Sequence, residues 1–193
     1  LEKIAAEKAG IIKYGIPVVI GETLPQTKPV FEQTAKEKNS SLLFATDEYK
    51  VINSSHQKNS LSVEIKETSS RTEQIYELDL PGLYQTKNII TVLTAVHQLQ
   101  KQGWKIEEST IHAALKNTKQ INGLHGRWEI IQQYPTVILD VGHNEDGIKQ
   151  LLQQLLFVRD PSSTTHFILG MVKDKDAGKV LSLLPRHEQY YFS

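Results

Sequence analysis

Hydrophobic positions change their period several times along the chain, and each change predicts a different element. Ile16-Pro17-Val18-Val19-Ile20-Gly21 and Leu42-Leu43-Phe44-Ala45 are short, continuous apolar runs, the pattern of buried strands. Pro17 lies near the start of the first, where a missing N–H costs least. Residues 1–10 read as the last turns of a helix closed by a glycine cap at Gly10, and residues 29–38 as a surface helix opened by Pro29. Buried strands alternating with helices predict a largely parallel sheet. The period then shortens to two over residues 49–53, 61–66 and 75–80, with Ser, Asn, Lys and Thr clusters between, which predicts a half-exposed antiparallel meander.

Pro81-Gly82 breaks that run. Residues 86–101 carry Ile89, Val92, Leu93, Val96 and Leu99 at helical spacing, and residues 107–117 a shorter helix with Ile111, Ala114 and Leu115 inward. Residues 121–126, with two glycines, read as a domain joint. A second α/β unit follows. A strand over residues 128–131 pairs with Thr136-Val137-Ile138-Leu139 across Tyr134-Pro135. The latter strand ends in Asp140, followed by the turn Val141-Gly142-His143-Asn144 and a helix over residues 146–157. A strand, a tight loop and a helix build ligand sites in open α/β sheets, beyond the carboxyl ends of the strands. Residues 167–170 give another strand, residues 177–184 a helix and residues 189–192 a final strand.

The composition narrows the function classes. With 39% apolar and 23% charged residues the chain is globular rather than disordered. A formal net charge of zero gives no support to a nucleic-acid partner held by bulk charge. The absence of cysteine excludes disulfides and thiolate metal sites. No apolar run approaches the roughly 20 residues that span a bilayer, and no basic-then-apolar leader is present. A soluble, cytoplasmic protein without a membrane partner is the default expectation. The absence of a heptad seam leaves a monomer as the default state. The 193 residues start in the middle of a helix and stop at the end of a strand, so both ends read as cut from a longer protein.

Four places could carry chemistry, and each has a plainer alternative. Lys8, beside the helix-ending glycine, is either held close to a site or simply a solvated lysine favourable to the helix dipole. Asn88, in the first turn of the long helix, offers one donor and one acceptor to an adenine edge, or it caps the helix. Arg127, at the joint, pairs with phosphate or stacks on a base, or shields the joint. Asp140 can bind a ribose hydroxyl, and His143 can bond or protonate a phosphate oxygen; the alternative is an Asx-type turn with a satisfied histidine. Glu145 and Asp146 already complement the positive end of the next helix, which argues against a phosphate cradle there. No Gly-rich phosphate loop with lysine and serine or threonine, no Gly-x-Ser-x-Gly elbow, no His-Glu-x-x-His pair and no EF-hand loop occurs in the sequence.

In order, these stretches resemble the folylpolyglutamate synthase and dihydrofolate synthase family of the Mur ligase superfamily. Ile4-Ala5-Ala6-Glu7-Lys8-Ala9-Gly10-Ile11 is similar to its Ile-Ala-x-Glu-Lys-Ala-Gly-Ile signature. Gly82-x-Tyr84-Gln85-x-x-Asn88 resembles Gly-x-His-Gln-x-x-Asn, with Tyr84 for the usual histidine. Gly126-Arg127-Trp128-Glu129 resembles Gly-Arg-Phe/Trp-Glu. Asp140-Val141-Gly142-His143-Asn144 resembles Asp-Gly-Ala-His-Asn, with the small residues exchanged and Glu145 where proline is common. Gly170 to Asp176 resembles Gly-x-x-x-Asp-Lys-Asp.

The resemblance implies an α/β fold: residues 1–125 as the latter part of a central ATPase domain, and residues 126–193 as the opening of a Rossmann-like C-terminal domain. It implies an ATP- and Mg2+-dependent ligase that joins L-glutamate to a pterin or folate carboxylate through an acyl phosphate. By residue, it implies that Lys8 carries a carbamate that helps hold magnesium. It assigns Asn88 and Arg127 to adenine and phosphate, Asp140 to the ribose, His143 to the transferred phosphate, and Asp174 and Lys175 to the glutamate site or to loop structure. A carbamate needs a neutral amine, and well under about 1% of free lysine is neutral at pH 7, so burial or a metal must help. The family's phosphate loop falls upstream of Leu1, so the segment alone is expected to be inactive. Two alternatives stand beside this reading: another Mur-type amide ligase acting on a cell-wall precursor, and a nucleotide-binding module without catalysis.

Overall fold

Ala5 and Ala9, one helical turn apart, are the buried positions of α1 (Glu2–Ala9), and their small side chains let it pack closely on its neighbours. The computed structural model describes residues 1–57, 59–170 and 177–193, which divide into two units, Leu1–Gly123 and Leu124–Ser193. Gly10 caps α1 as the sequence predicts, but without the left-handed backbone usual for a glycine cap. Its φ is −59°, because the chain turns on in the right-handed sense and the Ile12 N–H reaches the Ala9 carbonyl. The left-handed residue comes later, at Gly15 with φ 70°.

β1 (Val18–Ile20), α2 (Lys28–Glu37) and β2 (Leu42–Phe44) form a small crossover unit, with β1 and β2 parallel and Val18 opposite Leu42. Pro29 lies at the opening of α2, as its fixed φ favours. Phe31 and Ile12 join Ala5 and Ala9 in the core between these elements. The two strands are half-buried rather than buried, since only one neighbour pairs with each.

A single turn, α3 (Ala45–Glu48), leads into the meander of β3 (Tyr49–Gln57), β4 (Ser60–Glu67) and β5 (Glu73–Leu78), antiparallel throughout with β4 central. Leu61, Val63 and Ile65 of β4 are buried at alternate positions, as a pleated strand with one core face requires. Burial of each contributes about 2 kcal/mol. They pack with Ile89, Ile90 and Leu93 of α4 (Gln85–Lys101) and Ile111 of α5 (Glu108–Lys116). The core-facing stripe of α4 differs from the expected one. Ile90 and Thr94 are buried, whereas Val92 and Leu99 are 43% and 37% exposed. The reason is tertiary: α4 is also flanked by β1, where a Cβ on Gly21 would stand 2.4 Å from Thr91 Oγ1, so the buried arc is rotated towards that side. Ala114 is likewise exposed. The first unit closes with α6 (Thr118–Asn122), whose Lys119 N–H is held by Asp79 Oδ2 at 2.7 Å.

The second unit holds β6 (Glu129–Gln133) and β7 (Thr136–Leu139), an antiparallel pair joined across a cis Tyr134-Pro135 peptide, then α7 (Glu145–Val158). β6 starts at Glu129 rather than Trp128 because Trp128 has φ 53°, which no strand accommodates. β8 (His166–Leu169), α8 (Ala177–Leu183) and β9 (Gln189–Phe192) form a parallel crossover, with Phe167 opposite Tyr190. The architecture is therefore α/β. Among the described residues its parallel pairing is confined to β1–β2 and β8–β9 rather than running through one large sheet. No helix among the described residues is long and apolar enough to cross a membrane.

Candidate functional site

The loop from Asp140 to Asn144 is held by its own acid. Asp140 Oδ1 accepts the Gly142 N–H at 2.7 Å, an Asx turn, while Oδ2 accepts the Trp128 N–H at 2.8 Å from across the β6–β7 pair. Asn144 then caps α7, its side-chain oxygen accepting the Gly147 N–H at 2.7 Å. Glu145 pairs with Lys149 at 2.6 Å and Asp146 accepts from Gln150, so acidic side chains line the first turn of this helix. They make it a poor place for an anion, as the sequence predicts. Ile148, 2% exposed, is the buried apolar residue of α7.

His143 is exposed at the tip of this loop, and its Nδ1 lies 3.0 Å from the Val141 carbonyl oxygen. A carbonyl only accepts, so Nδ1 carries the proton and the neutral ring is left with Nε2 as an acceptor. Nε2 becomes a donor only in the imidazolium.

Arg127 is half-buried and adjoins the same loop. The Val141 N–H donates to the Gly126 carbonyl at 3.0 Å, so the segment before Arg127 and the loop before His143 are bonded together. Gly126 must be glycine on two counts. Its φ is +71°, and a Cβ there would stand 2.6 Å from Val141 Cγ1. Arg127 forms no ion pair among the described residues; its Nη1 makes a long bond to the Gly126 carbonyl at 3.3 Å. Glu129, one residue beyond Trp128, accepts the Gly126 N–H at 2.9 Å and meets His125 Nδ1 at 2.9 Å. The tertiary structure thus gathers Arg127, Asp140 and His143 in one unit, with Glu129 added. Sequence reasoning quotes Glu129 in a motif but assigns it nothing. Its spacing of three residues from a glycine in a left-handed turn is the signal that it overlooks.

The first unit presents a separate set. Asn88 donates from Nδ2 to Gln85 Oε1 at 2.9 Å, and Gln85 is 7% exposed. Both amides border an apolar groove of about 310 Å³ whose walls include Leu78, Ile89, Val92 and Ile111. This groove explains why Val92 is exposed although it is apolar. The buried Gly82 lets Tyr84, the residue standing where the family pattern has histidine, lay its ring against the backbone: a Cβ would be 2.6 Å from the ring. Lys87, one residue before Asn88, reaches Glu22 at 2.7 Å and ties α4 to the end of β1. Lys8 stands exposed in the last turn of α1, where its charge complements the helix dipole. Asp174 and Lys175 lie outside the described residues.

A second polar cluster sits between the meander and α5. Tyr76 donates to Glu108 at 2.8 Å and stacks on His112 with ring centroids 4.5 Å apart. Burial, followed by the bond to Glu108, raises the Tyr76 hydroxyl well above the ordinary tyrosine range. Tyr49 beside it is pushed up to about 12, by burial first and then by Glu67, Glu108 and Glu48. Neutral hydroxyls held among carboxylates are structural groups here, since neither is poised to give up its proton near neutrality.

Comparison with known proteins places this geometry. Residues 126–192 match the model of the Mur ligase, glutamate ligase domain. Over most of its length the chain is similar to folylpolyglutamate and dihydrofolate synthases. It is 28% identical over 179 residues to the dihydrofolate synthase/folylpolyglutamate synthase of Bacillus subtilis, covering 91% of this chain and 40% of that protein. It is 30% identical over 176 residues to the folylpolyglutamate synthase of Lacticaseibacillus casei, covering 90% and 39%. Among solved structures it matches an FPGS–AMPPCP–folate complex with a TM-score of 0.80 and 27% identity, over 93% of this chain and 42% of that one. The chain spans about two-fifths of the length of the curated relatives it matches.

Proposed function

We propose that these residues belong to an ATP-dependent ligase that attaches L-glutamate to dihydropteroate or to a folate. Residues 1–125 would be the latter part of its central ATPase domain and residues 126–193 the start of its C-terminal ligase domain. The observation that carries the reading is the match, over 93% of the chain, to a folylpolyglutamate synthase whose structure is described with an ATP analogue and folate.

The chemistry runs in two steps. A carboxylate oxygen of the pterin or folate attacks the γ-phosphorus of ATP, and ADP leaves. The amine of glutamate then attacks the acyl carbon, loses a proton and expels phosphate, leaving an amide. The first step brings two anions together, so the site must supply positive charge. Arg127, without a carboxylate partner among the described residues, is a cation that this unit can offer to a phosphate. His143 meets a phosphate oxygen through Nε2, and only as the imidazolium, because its Nδ1 proton is committed to Val141. Asp140 shapes the loop by accepting the Trp128 and Gly142 N–H groups, and it is assigned to a ribose hydroxyl. Asn88, with Nδ2 bonded to Gln85, keeps its carbonyl oxygen as an acceptor for an adenine amine. Asp174 and Lys175 are assigned to the glutamate side of the site.

Magnesium is part of this reading, but the described residues alone do not build its site. No group of three or more His, Asp or Glu side chains among them could hold a metal ion. Lys8, once carbamylated, would add one oxygen ligand. Lys8 is exposed, so its amine is open to carbon dioxide. A Gly-rich phosphate loop is missing from these 193 residues, so residues 1–193 by themselves are proposed to lack ligase activity.

The deciding experiment is glutamate-dependent phosphate release by the full-length protein with ATP and magnesium, offering dihydropteroate and a reduced folate separately. Release with either, abolished in Lys8→Ala, supports the ligase and identifies its acyl substrate. No release from a folded protein that still binds ATP would overturn the reading.

A further inference from the structure

Arg127 stands between two backbone N–H groups that are each held by a carboxylate. Glu129 Oε2 accepts the Gly126 N–H at 2.9 Å, and Asp140 Oδ2 accepts the Trp128 N–H at 2.8 Å. Both flanking residues are left-handed, Gly126 with φ +71° and Trp128 with φ +53°. For a bulky aromatic residue that conformation is costly, and it persists only where the surroundings over-determine it. Trp128 is 3% exposed, so packing secures the far side of Arg127 as well as Asp140 does. The near side has no such anchor: Gly126 has no side chain, and its amide depends on Glu129.

Glu129 is suited to that task. Its side chain is 16% exposed, and besides the Gly126 N–H it engages His125 Nδ1 at 2.9 Å. The Gly126 carbonyl completes the clamp by accepting the Val141 N–H at 3.0 Å. Ordering the backbone before binding spares a long guanidinium side chain part of the entropy lost when it docks on a ligand.

We propose that Glu129 is a positioning residue for Arg127: it locks the backbone on the near side of Arg127 and so presents the guanidinium to the polyphosphate of ATP. The proposal rests on the nucleotide reading given above. Glu129 does not itself touch the nucleotide, since a second anion beside a phosphate would repel it.

The test uses the full-length protein and five forms: wild type, Glu129→Ala, Glu129→Gln, Arg127→Ala and the double variant Arg127→Ala/Glu129→Ala. Two readouts are taken, KM for ATP against kcat in phosphate release, and hydrogen exchange across residues 125–128. Glu129→Ala is expected to raise KM for ATP about tenfold with a smaller change in kcat, and to speed exchange at these amides. Glu129→Gln, which keeps an oxygen for the Gly126 N–H, stays within about threefold of wild type. In the Arg127→Ala background the loss of Glu129 adds nothing further, because its effect runs through Arg127. Additive losses in the double variant, or unchanged exchange at residues 125–128, would overturn the proposal. If Glu129→Ala does not fold, Glu129→Asp keeps the charge, shortens the reach and carries the same comparison. A wild-type protein that releases no phosphate sinks the ligase reading instead, and the exchange measurement still decides whether Glu129 orders the segment.

Discussion

The carboxylate of Asp140 accepts the backbone N–H of Trp128 at 2.8 Å, across twelve residues of chain. This bond joins the turn before β6 to the turn after β7, and it makes Asp140 structural whatever else it binds. Asp140→Ala leaves the N–H groups of Trp128 and Gly142 without their acceptor. A loss of about 1–3 kcal/mol of stability is expected, read from urea denaturation with intrinsic tryptophan fluorescence. Asp140→Asn, with one acceptor oxygen for two donors, should fall between. An Asp140→Ala protein as stable as wild type would show that water replaces the carboxylate freely.

Gly126→Ala meets two separable obstacles, a left-handed φ and a Cβ 2.6 Å from Val141 Cγ1. The substitution is expected to cost about 1–3 kcal/mol. Adding Val141→Ala removes the collision but not the backbone strain, so the double variant should recover only part of the loss. Full recovery in thermal melts would mean that the backbone conformation costs nothing here.

Tyr49 gives the first unit a defined alkaline limit. Its hydroxyl is pushed up to about 12, from burial first and then from Glu67, Glu108 and Glu48, against an unfolded value of 10. A raised pKa means that the folded state holds the proton longer than the unfolded one. The stabilisation is therefore fully present below pH 10 and is lost as the pH rises through about 12. Ultraviolet titration of tyrosinate should show late ionisation around pH 12 that is reduced in Tyr49→Phe, and unfolding midpoints should fall across that window. Tyr76 is raised as well, so Tyr49→Phe/Tyr76→Phe should remove more of the slope than either change alone.

Asn88 and Gln85 predict base selectivity if the nucleotide reading holds. The bond from Nδ2 to Gln85 takes up one of the two amide protons of Asn88 and leaves its oxygen as an acceptor, which favours the amino group of adenine over the carbonyl of guanine. Asn88→Ala should raise KM for ATP about tenfold while leaving KM for GTP nearly unchanged. Gln85→Glu, which preserves the acceptor, should keep the preference that Gln85→Ala loses. Equal KM changes for both nucleotides in Asn88→Ala would remove Asn88 from base recognition.

Much of the architecture is legible in the sequence, because local patterns state it directly. The alternating positions of Leu61, Val63 and Ile65, the proline at the opening of α2 and the strand, turn and helix around Asp140 each follow from the period and chemistry of neighbouring residues. The candidate residues Arg127, Asp140 and His143 are legible for the same reason, as polar groups at the ends of such elements. What a chain pattern does not hold is a partner far along the chain. The rotation of the buried face of α4 depends on Thr91 meeting Gly21, and the left-handed Trp128 depends on Asp140. The right-handed Gly10 depends on the turn that follows it. Lys8 illustrates the division: its motif is plain in the sequence, but its exposure is a property of what packs around α1. Periodicity and residue chemistry decide which elements form and which side chains stand at their ends. Only the tertiary structure decides which backbone groups those side chains are bound to, because that is set by contacts between segments that no local period encodes.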